Sequence, residues 1–237
     1  MKTNCFAVLL GALILITPYA KSQEKINATV TQGENSSTLS PDKNYVLLYE
    51  NPTEGRITFK NNTFAKAKLN IDLLRSEVLF LSPEKILTPL ANQDQISYFN
   101  IGKDLFFKSS YGIVQVIANI KDVQLGIVRG FKPVNVEKEG AYGMTSSTSS
   151  IQQISSILET SPNIYATSLT VKQKVDLGYF EKYYLISNGK YLIANNKNFS
   201  KVFKIKKKEL DEFTVKESID FSDKDDLIEL MNFCTAR

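Results

Sequence analysis

Residues 183–194 read YYLISNGKYLIA, in which two short β-type runs flank Asn188-Gly189. Asn-Gly is the strongest short-range signal for a two-residue hairpin turn, because both residues accept a positive φ at little cost. We therefore predict an antiparallel β-hairpin here, with residues 183–186 and 190–194 as its two strands.

Upstream of this hairpin, short strand-like runs alternate with turn residues at regular spacing. Strands are predicted over residues 45–50, 56–60, 63–71, 76–81, 85–91, 95–101, 104–108, 113–119, 122–129 and 165–175. Asn61-Asn62 is predicted as a second two-residue hairpin turn. Such spacing indicates a twisted antiparallel meander that curls into a roll or partial barrel.

Downstream of the hairpin the pattern becomes helical. Helices are predicted over residues 199–204, 207–215 and 223–234, and a further short helix over 151–158. The last one carries an apolar stripe made of Leu227, Leu230, Met231 and Cys234. We expect Ser222 to cap it, with Asp225 at its third position. The fold class is thus α+β: an antiparallel β-rich N-terminal half, then a smaller α+β C-terminal half with terminal helices.

The N-terminus has the features of a signal peptide. Lys2 precedes an apolar run at residues 6–16, FAVLLGALILI. A transmembrane helix needs about 20 apolar residues, whereas a signal peptide needs about 7–15. Ala20 and Ser22 place small residues before a cleavage site at Gln23. We expect an exported protein with no transmembrane segment after cleavage, in which Cys234 is the remaining cysteine and no intramolecular disulfide forms.

Composition shifts divide the chain into five predicted parts. Polar residues rich in Asn, Ser and Thr follow the cleavage site, and small polar residues recur after the predicted meander. The parts are a signal peptide at 1–22, a flexible polar leader at 23–44, a β-rich domain at 45–138, a loop or hinge at 139–150, and an α+β region at 151–237.

Several kinds of chemistry are excluded by composition. The chain has no histidine, which removes histidine-based triads, zinc sites and general bases. Its glycines are scattered singly, so no phosphate-binding loop is present. The formal charge of +4 falls to +2 when Lys2 and Lys21 leave with the signal peptide, which argues against nucleic acid as a partner. We predict no catalytic residue, no cofactor and no metal site.

Three motifs resemble functional sites but have simpler interpretations. Residues 82–85 (SPEK) and 40–43 (SPDK) match the Ser-x-x-Lys spacing of penicillin-binding enzymes, yet both favour type I turns. Residues 220–229 hold five carboxylates, but Lys224 stands where a calcium loop needs an oxygen ligand. Residues 204–208 (KIKKK) are immediately followed by acidic residues, as at a solvated helix start.

Aromatic side chains crowd into positions 179–191. They are Tyr179, Phe180, Tyr183, Tyr184 and Tyr191. On a hairpin, such rings either stack on sugar rings or a partner protein, or pair across strands as part of the core. Packing is the commoner role, but among the features of the sequence this group is still the best candidate contact surface.

Several segments together resemble a family of exported proteins from Bacteroidetes-type Gram-negative bacteria. They are residues 55–60 (GRITFK), 68–80 (KLNIDLLRSEVLF), 101–102 (IG), 106–107 (FF), 138–143 (KEGAYG) and the hairpin at 183–190, which precedes a lysine-rich helix. The resemblance spans most of residues 45–237. It implies an envelope location, in the periplasm or outside the cell, and carries over no functional residue.

These observations favour a non-enzymatic exported envelope protein that binds or scaffolds another macromolecule, either a protein or a glycan. Strand edges and aromatic side chains suit such contact. Two alternatives stay open. A carboxylate-only enzyme such as a glycoside hydrolase requires two acidic side chains that converge in a deep cleft. A carrier of a small apolar ligand requires an unfilled apolar interior.

Overall fold

The computed structural model describes residues 25–32, 37–41, 46–139, 145–146 and 173–236. Their strands are β1 (Lys25–Gln32), β2 (Ser37–Pro41), β3 (Thr53–Phe59), β4 (Phe64–Asp72), β5 (Glu77–Leu81), β6 (Leu87–Pro89), β7 (Ile96–Ile101), β8 (Asp104–Ser109), β9 (Gly112–Ile120), β10 (Val123–Glu139), β11 (Thr145–Ser146), β12 (Gln173–Ser187) and β13 (Lys190–Ile193). The helices are α1 (Asn196–Phe203), α2 (Lys207–Lys216) and α3 (Lys224–Thr235), and Gln93–Gln95 forms a 3₁₀ turn.

All these strands belong to one antiparallel sheet, in the order β2-β1-β12-β10-β9-β8-β7-β3-β4-β5-β6. β11 pairs with β10, and β13 pairs with β12. With three helices near the C-terminus, the chain has a β-rich α+β fold. Consecutive strands β7 to β10 are neighbours in this sheet.

Positive-φ residues close the hairpins where the sequence indicates turns. Asn188 and Gly189 both have positive φ, at 51° and 71°, and join β12 to β13. Between β3 and β4, Asn62 has a φ of 64°, and the N–H of Phe59 donates to the carbonyl of Thr63. The Asn188-Gly189 turn therefore forms as predicted. At Asn61-Asn62 the connection is a three-residue loop, Lys60 to Asn62, rather than the predicted two-residue turn. Each connection fixes the register of the strands beside it.

The predicted division of the chain differs from the observed sheet. Residues 23–44, predicted as a flexible leader, contribute β1 and β2, and β1 pairs with β12. The proposed break at 139–150 does not separate two sheets, because β10 and β12 are neighbours along most of their length. The strand predicted at 45–50 is reduced to one bridge, between Leu47 and Asp72.

Some predictions concern residues outside the described ranges. These are the signal peptide at 1–22, most of the loop or hinge at 139–150, the helix at 151–158 and most of the strand at 165–175. Within the described ranges, no helix has the length and apolar character needed to cross a bilayer.

The helices pack on one side of the sheet, which we call the helix face. On β10 and β12 this face presents Leu125, Ile127 and Leu185. The helices contribute buried side chains to the same cluster, namely Phe199 from α1, Leu210 from α2, and Leu227, Leu230, Met231 and Cys234 from α3. The apolar stripe predicted for the last helix is therefore the surface that α3 buries.

The cap of α3 is Asp223, and the prediction of Ser222 was wrong by one position. The Oδ1 of Asp223 accepts hydrogen bonds from the N–H groups of Asp225 and Asp226 at 2.8 and 3.2 Å. We expect Asp223→Ala to cost about 0.5–2 kcal/mol, because these N–H groups lose their acceptor. Ser222→Ala is the matched control and should leave stability unchanged in urea unfolding. An equal loss in both variants would contradict the assignment of the cap.

Cys234 lies in the helix cluster with 5% of its surface exposed. Burial raises the pKa of its thiol to about 12, which suppresses the reactive thiolate at neutral pH. We expect the native protein to react with a thiol reagent at least tenfold more slowly than the urea-unfolded chain. Equal rates would show that α3 is not docked on the sheet.

Candidate functional site

The face opposite the helices carries most of the exposed aromatic side chains, and we call it the aromatic face. Side chains alternate between the two faces of a strand, while residues paired across strands share a face. The aromatic face can therefore be followed from strand to strand through the pairing registers.

Two continuous rows of side chains cross this face. The first row runs from β4 to β12 through Phe64, Thr58, Tyr98, Phe107, Val114, Val128 and Lys182. The second row runs from β4 to β13 through Lys66, Arg56, Asn100, Leu105, Val116, Gly126, Tyr184 and Ile193. One more cross-strand pair on this face, Ile186 with Tyr191, lies beside the second row on β12 and β13.

The exposed apolar side chains of the first row are aromatic rings, and its aliphatic side chains are buried. Phe64 and Tyr98 are 56% and 38% exposed, whereas Val114 and Val128 are 0% and 3% exposed. Gly126 permits this packing, because a Cβ there would lie 2.5 Å from Cγ1 of Val114 and 2.9 Å from Cδ1 of Ile186. The aliphatic side chains thus form a small core of their own beneath the aromatic ones.

Tyr111 extends this aromatic surface from the turn between β8 and β9. Its ring lies 5.0 Å from that of Tyr184 and 6.4 Å from that of Tyr191, and it is 52% exposed. Ser109 shapes the turn, since its Oγ accepts from the N–H of Tyr111 and donates to the carbonyl of Gly112. Gly112 has a φ of 111°, which favours glycine.

Each row has cations at one end, and the two sets lie at opposite ends of the face. The guanidinium of Arg56 lies 4.1 Å from the ring centre of Phe64, and Nζ of Lys182 lies 5.8 Å from that of Tyr184. Lys66 neighbours Arg56 on β4. Neither row contains an acidic residue, and within the described part of the chain no carboxylate forms an ion pair with Arg56, Lys66 or Lys182.

The sheet separates the predicted aromatic group into two sets. Phe180, Tyr184 and Tyr191 lie on the aromatic face, in the same cluster as Val114 and Val128. Tyr179 and Tyr183 project to the helix face. Of the five, Tyr183 and Tyr184 are buried.

On the helix face, Glu181 is the centre of a polar cluster. Its Oε1 accepts from the hydroxyl of Tyr179 at 2.7 Å and from Nε of Arg129 at 3.2 Å. Its Oε2 accepts from the hydroxyl of Tyr183 at 3.1 Å, and Arg129 also donates to the side chain of Gln115. These partners tie β9, β10 and β12 together.

The partners of Glu181 also set its ionisation. Desolvation raises the pKa of Glu181, but the hydrogen bond from Tyr179, the charge of Arg129 and the bond from Tyr183 outweigh it, so the pKa lies below its ordinary value. Burial, together with the nearby carboxylate, raises the pKa of both tyrosine hydroxyls. At neutral pH the cluster therefore holds an ionised carboxylate and two neutral phenols.

Because the pKa of Glu181 is lower in the folded state, its contribution to the free energy of unfolding depends on pH. The contribution is complete above the ordinary value of 4.5 and is lost as pH falls through the lower folded-state pKa. We expect the stability advantage of wild type over Glu181→Gln to be constant above about pH 5.5 and to shrink below about pH 4.5. Urea unfolding between pH 3 and 7 measures it, with exposed Glu212→Gln as control. If wild type were more stable than Glu181→Gln by the same amount at pH 3 and pH 7, the lowered pKa of Glu181 would be contradicted.

A cavity of about 10 Å³ lies beside this cluster, which is room for about one water molecule. Arg129, Gln115 and Ser76 line it together with apolar side chains. Such a volume cannot hold a sugar or a lipid chain. The cavity therefore supplies neither the deep cleft that a carboxylate enzyme needs nor the open interior that a carrier needs.

The motif at 82–85 and the acidic segment at 220–229 occupy ordinary structural positions, while residues 42 and 43 of the motif at 40–43 lie outside the described ranges. Residues 82–85 form a turn, in which the N–H of Lys85 donates to the carbonyl of Ser82. In the acidic segment, Asp220 and Asp226 accept from the backbone N–H groups of Ser222 and Asp220, at 2.8 Å each. Within the described ranges, no group of three or more acidic or thiol side chains is arranged to hold a metal ion.

Comparison of the chain with protein-family models, with curated proteins and with solved structures finds no match.

Proposed function

We propose that this chain is a non-enzymatic, exported envelope protein that binds another macromolecule through its aromatic face. The observation that supports the proposal is the pair of side-chain rows, in which exposed rings and cations without acidic partners share one side of the sheet. Exposed apolar patches of this kind mark interaction sites in soluble proteins. Tyrosine and arginine are also the side chains enriched at binding hot spots.

The size of the aromatic face supports a large partner. The first row crosses seven strands, and a spacing of about 4.8 Å between strands gives a width of about 29 Å. A stable interface typically buries about 800 Å² on each partner, which corresponds to a square patch of similar width. A small ligand would cover only a fraction of this surface.

The same proposal includes the cellular location of the protein and the curvature of its sheet. A signal peptide over residues 1–22 would deliver the protein to the periplasm or the cell surface of a Gram-negative bacterium. The curling of the meander into a roll or partial barrel would turn the aromatic face outwards, towards a partner.

Cosedimentation with the native envelope fraction tests the proposal. We expect Tyr98→Ala/Tyr111→Ala to weaken binding by about tenfold or more, since two hot-spot side chains are lost. The matched control is Ile86→Ala/Val215→Ala, which removes apolar side chains that are 62% and 79% exposed and lie outside both rows. The control should bind like wild type. The single variant Tyr98→Ala, checked by circular dichroism, separates lost contact from altered folding.

Two outcomes would overturn the proposal. One is equal envelope binding by wild type, Tyr98→Ala and Tyr98→Ala/Tyr111→Ala. The other is an equal loss in the control variant, which would mean that any exposed apolar group supports the interaction.

A further inference from the structure

We infer that the partner of the aromatic face is an acidic polysaccharide, a chain of sugars that carry carboxylate groups. This inference rests on the proposed function and specifies the ligand of the same surface. It follows from three properties of the face: the rings exposed on it, the separation of its cations, and its excess of cations over carboxylates. The two rows hold three cations and no acidic residue, and in the next pair on this face Glu54 stands opposite Lys68.

The exposed groups in the first row suit sugar rings. Phe64 and Tyr98 lie two strands apart on either side of Thr58, with β3 between them. An aromatic ring has a negative face, and the C–H groups on the flat side of a sugar carry partial positive charge, so the two stack. Oγ1 of Thr58 is buried and has no hydrogen-bond partner among the described residues. A rotation about its χ1 angle would offer this hydroxyl to a sugar bound across the two rings.

The separation of the cations requires an extended ligand. Arg56 lies on β3 and Lys182 on β12, five strand spacings apart, which is about 24 Å. A ligand that pairs with both ends must carry negative charges along a chain of at least this length. Arg56 binds carboxylates well, because its planar guanidinium presents paired donors.

Other anionic partners fit the face less well. A lipid surface favours a broad exposed apolar patch for insertion, but of the aliphatic side chains in the two rows Ile193 alone is exposed, at 44%, while Val114 and Val128 are buried. Nucleic acid binding requires concentrated basic charge, whereas the two rows hold three cations. An acidic peptide shares the charge but lacks the flat C–H surface that matches Phe64 and Tyr98.

Binding to defined polymers tests the inference. The probe is polygalacturonate, compared at low salt with dextran as a neutral sugar polymer, poly-L-glutamate as an acidic peptide, and phosphatidylglycerol vesicles. We expect polygalacturonate to bind at least about tenfold more tightly than each of the others and to weaken as salt rises. Arg56→Gln/Lys182→Gln should weaken it by about tenfold, whereas the matched control Lys197→Gln/Lys208→Gln should not.

Each result has a definite meaning. Stronger binding of poly-L-glutamate or of the vesicles would overturn the inference in favour of that partner class. Equal binding of dextran and polygalacturonate would remove the role of charge and would overturn it as well. If polygalacturonate is not bound while envelope binding still depends on Tyr98 and Tyr111, the inference fails and the proposed function stands. If envelope binding is independent of these tyrosines, the proposed function fails.

Discussion

Phe199→Ala is expected to destabilise the protein by about 3–5 kcal/mol, the usual cost of deleting a buried aromatic side chain. Phe199 is fully buried at the junction of the helices and the sheet. Its ring stacks on Phe203 at 5.7 Å and meets the ring of Phe221 edge-on at 6.0 Å. Alanine would leave a cavity between α1 and the sheet, because the surrounding side chains relax only partly. Urea unfolding followed by circular dichroism measures the loss.

Phe64→Ala is the matched control for this substitution. The same atoms are removed, but Phe64 is 56% exposed on the aromatic face, so its loss should cost less than about 1 kcal/mol. The two variants also separate stability from binding. Phe199→Ala should retain envelope binding while it remains folded, whereas Phe64→Ala should weaken it. A cost below about 1.5 kcal/mol for Phe199→Ala would mean that the helices are not docked as described.

Asp72→Ala is expected to cost about 2–4 kcal/mol, since it removes a fully buried carboxylate that organises the turn after β4. Oδ1 of Asp72 accepts from the N–H groups of Leu74 and Arg75 at 2.9 and 3.4 Å. Its Oδ2 pairs with Nη1 of Arg75 at 2.8 Å. Alanine would leave two N–H groups without their acceptor where water has little access.

Asp72→Asn tests which part of this arrangement matters. Asparagine keeps an oxygen that can accept from both N–H groups but gives up the negative charge opposite Arg75. The side chain of Arg75 is 34% exposed, so solvent weakens the ion pair and its loss should account for less than half of the effect. Unfolding at low and high salt measures the charged part. If asparagine proved as costly as alanine, the ion pair and not the turn would dominate.

The features of the fold that were predicted correctly are those that a few neighbouring residues determine, such as a hairpin turn and the buried side of a helix. Asn188-Gly189 accepts the positive φ that its turn requires, and the apolar stripe of α3 is the surface that docks. The cap was misplaced by one position because Ser222 and Asp223 are both good caps, and only the backbone shows which side chain reaches the free N–H groups.

Long-range pairing could not be predicted in the same way. β1 and β2 are polar and rich in Thr, Ser and Asn, and they become strands by pairing with β12 far along the chain. Strand formation depends on such neighbours more than on local preference. No local pattern between residues 23 and 44 reveals this partner.

Only some residues of the aromatic face could be named from the sequence. Alternation along β12 could already have separated Tyr179 and Tyr183 from Phe180 and Tyr184, because successive side chains point to opposite faces. Tyr111 could not have been assigned to the group, since it reaches Tyr184 only through the turn between β8 and β9. The rows themselves depend on pairing registers that the sequence does not display.

Side-chain footprinting on the intact protein tests the central claim, binding through the aromatic face, most directly. Hydroxyl-radical oxidation of Tyr98 and Tyr111 would be measured by mass spectrometry with and without the native envelope fraction, with Val215 on α2 as the internal reference. We predict that the envelope protects both tyrosines several-fold and leaves Val215 unchanged, because the partner covers one face of the sheet. Protection of Val215 with unchanged oxidation of Tyr98 and Tyr111 would contradict the claim and place the contact on the helices.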